Sequence, residues 1–314
     1  IENVQANDNG ESGLVSLGPT SIVRDVVTTG NGLDGIRVQS ANALLENNLA
    51  SNNQRYGIKM DGANSIIDSN EVAQNQRDGI YATGTGTLVS GNSVWGHSAL
   101  GIYGILLSGS IAEGNVVFNN DSGIFVDAGT ARENRIYANQ NLGIYARHTS
   151  ELAGNVIYSN DVGVQTEAYG YNRPNRVNIR GNLIYDNAKI ALRVADGDSN
   201  GIENNTIYQP VGDGIEILGE SKNVRLRNNI VVVDGGTAVR VEKFSQPGFD
   251  SDFNLLSHAG SGLTGVWGAR DLDTLSQWQI ASFGDSGSLS EDPLFVNVQG
   301  ADQLLGYVSL ASDG

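Results

Sequence analysis

The stretch Asn134-Arg-Ile-Tyr-Ala-Asn139-Gln-Asn-Leu-Gly143-Ile-Tyr-Ala-Arg147-His148 holds the rule by which this chain is built. An asparagine opens it, an Ile-aromatic pair follows, and a second asparagine comes five positions after the first. A short polar turn then leads into Gly-Ile-aromatic. The rule repeats from Asn155 as Asn-Val-Ile-Tyr-Ser-Asn160-Asp-Val-Gly163-Val. Outward from there, the Gly-Ile marker falls at Gly35, Gly57, Gly79, Gly101, Gly123, Gly143 and Gly163, in steps of 22, 22, 22, 22, 20 and 20. The opening asparagine keeps step at Asn48, Asn70, Asn92, Asn115, Asn134, Asn155, Asn182, Asn205 and Asn229, and the second at Asn53, Asn75, Asn120, Asn139, Asn160 and Asn187. Two locked series define an internal repeat, which outranks every other reading of the chain.

Each unit carries two clear apolar alternations of four or five residues. One centres on Val72, Val94, Val117, Ile136, Ile157, Ile184 and Ile207, the other on Ile36, Ile58, Ile80, Ile102, Ile124 and Ile144. Period-two segments this short are strands. So short a strand pair cannot bury its own face, so the units must stack, with equivalent residues about 4.8 Å apart. The expected fold is all-β: a single-stranded parallel β-helix of about ten coils over residues 1–256, followed by an irregular segment, 257–314, that packs on or caps the last coils. In that segment Leu275, Trp278, Gln279 and Ser282 lie at helical spacing behind Asp273 or Thr274 as N-cap. Inward asparagines at the corners should form amide ladders that satisfy turn backbone groups. The preference for right-handed crossovers sets the expected hand.

This grammar resembles the right-handed parallel β-helix superfamily of pectate lyase-like proteins, and is most similar to the secreted mannuronan C5-epimerases and their lyase relatives. Asn31-Gly-Leu-Asp34-Gly35-Ile36 is similar to one coil of those enzymes, and Asn53-Gln-Arg55-Tyr56-Gly57-Ile58 to their Asn-Asp-Arg-His-Gly-Phe coil. Asp34 and Arg55 match residue by residue. Tyr56 stands where that coil has histidine, and Gly13-Leu-Val-Ser16 stands where the family has Asp-Pro-His-Glu. The resemblance implies an extracellular protein acting on a uronate-containing polysaccharide.

Composition agrees with a solenoid of that kind. The 314 residues include 41 Gly, 5 Pro and no Cys, and carry a net charge of -16. Without cysteine, disulfides and thiolate metal sites are excluded. The acidic balance argues against nucleic acid as a partner, and no apolar run is long enough to span a membrane. A bound calcium ion is compatible with so many carboxylates, although no calcium nonapeptide and no metal-spaced histidine pair occurs. The start at Ile1 in strand-like sequence, with no preceding amphipathic helix, and the finish at Asp313-Gly314 lead to the expectation of a piece of a longer secreted or cell-surface chain.

Function is sought on the outward positions of the Gly-Ile strand. Two residues after each glycine the track reads Arg37, Lys59, Tyr81, Tyr103, Phe125, Tyr145, Gln165, Arg193, Glu216, Arg240, and four after it Gln39, Asp61, Thr83, Ile105, Asp127, Arg147, Glu167. Four consecutive aromatics flanked by cations suit an acidic polysaccharide, with rings for stacking and Arg/Lys for carboxylates. The competing reading is a cross-coil stack that only stabilises the sheet. Lyase and epimerase chemistry both begin by taking the proton alpha to a sugar carboxylate. The reaction needs a cation on the carboxylate, a base and a proton donor. Arg147, Arg193 or Lys59 could neutralise, Tyr145 or His148 could be the base, and Asp127 completes the catalytic set. Lys59, Asp61, Tyr81, Tyr103, Phe125, Glu167 and Arg193 would bind substrate. Asp127 and Glu167 also suit the carboxylate spacing of a glycosidase, but Arg147 intervenes. The loop Tyr169-Gly-Tyr-Asn-Arg-Pro174 is a candidate groove wall. A second aromatic row, Trp95, Phe118, Tyr137, Tyr158, Tyr185 and Tyr208, reads as structural, and His97 as a replacement for a ladder amide. The alternative for the whole chain is a non-catalytic structural or adhesin segment.

Overall fold

The computed structural model describes residues 1–168, 175–299 and 303–309, so the candidate loop wall at 169–174 lies outside the described residues. The chain divides into two compact units, Ile1–Ile144 and Tyr145–Gly314. Each is a stretch of parallel β-solenoid, and the fold class is all-β.

In the first unit, strands Leu14–Ser16, Ile36–Val38, Ile58–Met60, Ile80–Ala82, Tyr103–Ser108 and Ser122–Asp127 pair in parallel, each with its counterpart one coil on. A second sheet runs from Ile22–Arg24 to Thr130–Arg132 and a third from Val27–Thr29 to Arg135–Tyr137. The repeat thus holds three strands rather than the two clear ones. The overlooked strand carries one fully buried residue per coil, Val23, Leu45, Ile67, Val89, Ala112 and Ala131. Its flanking residues are polar, half-buried or, as at Ile22 and Ile66, apolar and exposed, so no long alternation betrays it. The anticipated inward residues are fully buried, Ile36, Ile58, Ile80 and Ile124 on one face and Val72, Val94, Val117 and Ile136 on another.

One coil departs from the expected register. Ile80 pairs with Ile105 and Tyr81 with Leu106, so the marker glycine there is Gly104, not Gly101. Ile105 is fully buried rather than outward, and Ile102 is not part of the stack. The physical test is the space around the glycine. A Cβ on Gly104 would lie 2.6 Å from Val117 Cγ1 and 2.8 Å from Asn120 Nδ2, whereas one on Gly101 would meet nothing within 4 Å. The marker glycine is required by this close approach, not by a turn conformation. The turns are made one residue before each inward asparagine, at left-handed positions such as Asn47, Asn52, Ser69 and Gln74.

The asparagine ladders form as expected. Asn48, Asn70, Asn92 and Asn115 each donate backbone N–H and Nδ2 to the Oδ1 of the next, at 2.8–3.0 Å. Asn70, Asn115, Asn134, Asn155 and Asn182 are at most 2 % exposed. His97 replaces an amide in the second ladder, between Asn75 and Asn120. The second aromatic row stacks: Trp95–Phe118 at 6.1 Å and Phe118–Tyr137 at 5.1 Å between ring centroids.

The second unit repeats the plan from Val162–Glu167, Ser150–Ala153 and Val156–Tyr158 onward. Tyr158 and Tyr185 stack at 4.8 Å, and the ladder runs Asn155, Asn182, Asn205, Asn229, Asn254. Parallel pairing continues past residue 256 to Leu263–Trp267, against which Arg270–Leu272 folds back antiparallel. The helix Leu275–Ser282 follows, with Thr274 as N-cap in a capping box with Gln277, and Phe283 in the left-handed C-cap. Replacing Asn155 with leucine should cost roughly 1–3 kcal/mol, because it strands donors and acceptors inside a dry corner. Urea unfolding at pH 7 measures this, and an unchanged midpoint would count against the ladder's energetic role.

Candidate carbohydrate-binding face

The outer surface of the first sheet in the first unit is set by the register Arg37, Lys59, Tyr81, Leu106, Phe125. Tyr103 is not on this track. It stands one residue before Gly104, opposite Ser122. The rings therefore pair diagonally. Tyr56, one before Gly57, meets Tyr81 of the next coil at 4.8 Å between centroids, and Tyr103 meets Phe125 at 5.2 Å in the same relation. Two tilted pairs replace the expected row in solvent. Tyr56 is 9 % and Phe125 7 % exposed, while Tyr81 and Tyr103 are half-buried.

Cations surround the first pair. Lys59 Nζ lies 5.8 Å from the centroids of both Tyr56 and Tyr81, and the guanidinium carbons of Arg55 and Arg77 lie 5.4 and 5.9 Å from Tyr56. Asp61 holds this end in place, 3.6 Å from Lys59 and 4.0 Å from Arg37. Beneath sits Asp34, fully buried. Its Oδ1 accepts from Tyr56 N at 3.4 Å and faces Arg55 Nε at 3.7 Å, and its Oδ2 is buried with no hydrogen-bond partner among the described residues. Burial pushes the Asp78 carboxyl up, against the bond from Tyr103 N at 2.7 Å and the charge of Arg77. The Tyr81 hydroxyl is also pushed up, by burial first and then by Tyr56, Asp61 and Asp78. It stays protonated, with its O–H available to donate to a ligand.

The remaining predicted residues divide between the units. Asp127 belongs to the first and is half-buried. Tyr145, Arg147, His148, Glu167 and Arg193 belong to the second. There the Tyr145 hydroxyl donates to Glu167 Oε2 at 3.3 Å, as does Gln165 Nε2. In that contact the Tyr145 hydroxyl acts as a hydrogen-bond donor. His148 ends the strand in a left-handed conformation. Arg193 grips Glu216 through Nε and a terminal nitrogen, both at 3.0 Å, and Arg240 lies 3.2 Å from Asp213 and 3.7 Å from Glu216. Burial raises Glu216 despite these cations. Among the described residues no group of three or more His, Asp or Glu is placed to hold a metal ion. No helix among them is long and apolar enough to cross a membrane.

Sequence reasoning missed Tyr56, Arg77 and Asp78 as parts of the face. A signal was present: one residue before successive marker glycines the chain reads Asp34, Tyr56, Asp78, Tyr103. This column leans over the +2 column of the neighbouring coil, which no count within one coil reveals.

These features define a parallel β-helix bearing an aromatic and cationic patch. The family described as right handed beta helix region matches residues 1–85, 34–173 and 131–271, and the chain belongs to it. An uncharacterized protein of Bacillus subtilis (strain 168), YwoF, is 22% identical over 170 residues, which is 49% of this chain and 36% of that protein. The chain thus spans about a third of that relative. Among solved structures, the crystal structure of Dettilon tailspike protein (gp208) superposes with a TM-score of 0.64 at 16% identity, covering 80% of this chain and 61% of the tailspike. At that identity the likeness concerns the fold.

Proposed function

We propose that this β-helix binds an acidic, uronate-class polysaccharide through the first-sheet face of its first unit. The observation that carries the reading is the Lys59 ammonium set 5.8 Å from two tyrosine rings, with Arg55 and Arg77 on the same coils and Arg37 one coil before, in a chain whose net charge is -16. Local cations against a global negative charge are a selective arrangement, since a carboxylate-bearing ligand is held only where cations gather. Sugar rings stack on the half-exposed Tyr81, the cations meet carboxylates, and the Tyr81 hydroxyl donates to a sugar oxygen. The tailspike likeness supports a β-helix in this role only at the level of fold. A secreted location, and lyase or epimerase turnover by Tyr145, Arg147 and His148 within the second unit, are the stronger form of this reading. The structural-stack reading draws its support from the burial of Tyr56 and Phe125.

Titration of polygalacturonate and alginate separates these. Lys59→Gln should weaken binding several-fold at low salt, with the difference disappearing as salt rises. Tyr81→Ala should weaken it about tenfold, roughly 1.4 kcal/mol, at any salt. Wild-type affinity in both variants would leave the stack as the sole role of this face. Release of unsaturated product that Tyr145→Phe abolishes would add turnover to binding.

A further inference from the structure

In the second unit the chain leaves the strand Thr237–Val241 through a single 3-10 turn, Lys243–Ser245. That turn is pinned at both ends to one residue. Glu242 Oε2 accepts from Gly219 N at 2.9 Å, and Ser245 Oγ donates to Gly219 O at 3.0 Å. Between the pins Lys243 and Phe244 point outward, and Phe244 is 68% exposed. One coil on, Trp267 forms the opposite wall. With the Gln246 amide oriented by its hydrogen bonds, its oxygen accepts from Trp267 Nε1 at 3.2 Å and Gly268 N at 3.3 Å. The indole also packs against Phe249 at 5.6 Å and Trp278 at 5.7 Å. Phe244, Trp267, Lys243, Glu242, Gln246 and Arg270 line an open groove of about 490 Å³.

Two physical features mark this groove. The Trp267 wall is held from behind and the turn that carries Phe244 is pinned at both ends, so the groove loses little backbone and indole entropy when something stacks there. Its two cations are unspent: among the described residues neither Lys243 nor Arg270 has a carboxylate partner, while the groove's own carboxylate, Glu242, is committed to Gly219. Elsewhere in this unit Arg180, Lys189, Arg193, Lys222, Arg225, Arg227 and Arg240 all sit in ion pairs. Solvent-facing aromatic rings beside free cations, in a shallow open cleft, are complementary to a saccharide bearing a negative charge and poorly complementary to a wholly apolar ligand.

We propose that this groove is a separate binding site for an acidic saccharide, with Phe244 and Trp267 as the stacking walls and Lys243 and Arg270 as the contacts to its charge. It takes the ligand class of the first-unit face but shares no residue with it. The test therefore uses the full chain with that face silenced by Lys59→Gln and Tyr81→Ala. Hexagalacturonate, its fully methyl-esterified form and polyglutamate are titrated by calorimetry and by tryptophan fluorescence. The face-silenced chain should still bind hexagalacturonate and change its tryptophan emission. Adding Phe244→Ala should weaken this binding at least tenfold. Adding Lys243→Gln with Arg270→Gln should weaken it about tenfold and bring it to the affinity of the methyl ester. Phe244 is exposed, so its loss leaves the fold intact, which the unfolding midpoint verifies. Unchanged affinity on adding Phe244→Ala would overturn the groove. So would polyglutamate binding as tightly as hexagalacturonate, since that denotes a bare cation patch. Absence of binding by the face-silenced chain, with wild-type binding intact, overturns the groove and leaves the first-unit face standing. Absence of binding by both chains overturns both.

Discussion

Lowering the pH from 7 to 4 should cost this protein about 3 kcal/mol of stability at His97 alone. The imidazole is fully buried. Its backbone N–H and Nδ1 both reach Asn120 Oδ1, at 3.1 and 2.9 Å, and Nε2 meets Asn75 Nδ2 at 3.2 Å. Asn75 Nδ2 is a donor, because it also donates to Ala50 O at 3.0 Å. The hydrogen-bond network therefore assigns the proton to Nδ1 and leaves Nε2 as acceptor. A second proton would set one donor against another in a fully buried site. Burial pushes the His97 pKa down to about 4, against the bond to Asn120, from an ordinary value of about 6.5. Between these values the unfolded chain takes up a proton that the folded chain refuses. Stability from this group is complete above about pH 6.5 and falls as pH drops towards about 4. His97→Asn restores a continuous amide ladder and removes the titrating group. Urea unfolding of both proteins at pH 7 and pH 4 isolates the effect from the carboxylates that titrate in the same range. The variant should match or exceed the wild type at pH 7 and lose about 3 kcal/mol less on acidification. Equal losses in the two proteins would refute the assignment.

Truncating Trp278 to alanine should destabilise the second unit by about 3–5 kcal/mol. The side chain is fully buried. It lies over Gly265, where a Cβ would come within 2.2 Å of the indole, so glycine here leaves room for a ring supplied by the helix. The indole also meets Trp267 and Phe249 edge-on at 5.7 and 6.2 Å. Its Nε1 donates to Asp285 Oδ2 at 2.7 Å, and buried Asp285 also accepts from Asn254 Nδ2 at 3.0 Å and Ser288 Oγ at 2.5 Å. The helix thus covers the last coil, and the segment after it ends the asparagine ladder, with Asp285 taking the Asn254 amide and Ser288 its backbone N–H. Loss of the ring opens a cavity and removes one donor from a buried charge. Trp278→Phe should cost less, since it keeps most of the packing and loses only the indole N–H. Denaturant unfolding measures both, and a loss below about 1 kcal/mol for the alanine variant would make the helix peripheral.

The sequence by itself determined the parallel β-helix, the Ile and Val stacks and the two asparagine ladders, including the place of His97 within one. All of these depend on position within a coil, and the repeat states that position outright. Where coil lengths are constant, counting residues is the same as measuring distance. The count failed at one coil. His97 to Gly104 is seven residues where Asn75 to Gly79 is four, and Gly104 to Asn115 is eleven where Gly79 to Asn92 is thirteen. The two changes nearly cancel, so both series stay in step while Tyr103 moves off its track. Only the tertiary structure decided which glycine is squeezed between coils, how Tyr56 and Tyr103 lean onto the rings of the next coil, and that Phe125 is buried. It alone brought Phe244 and Trp267 to face each other and set Trp278 over Gly265. Each of these depends on which side chain of an adjacent coil or terminal helix fills the space beside a residue, and a linear spacing carries no record of that.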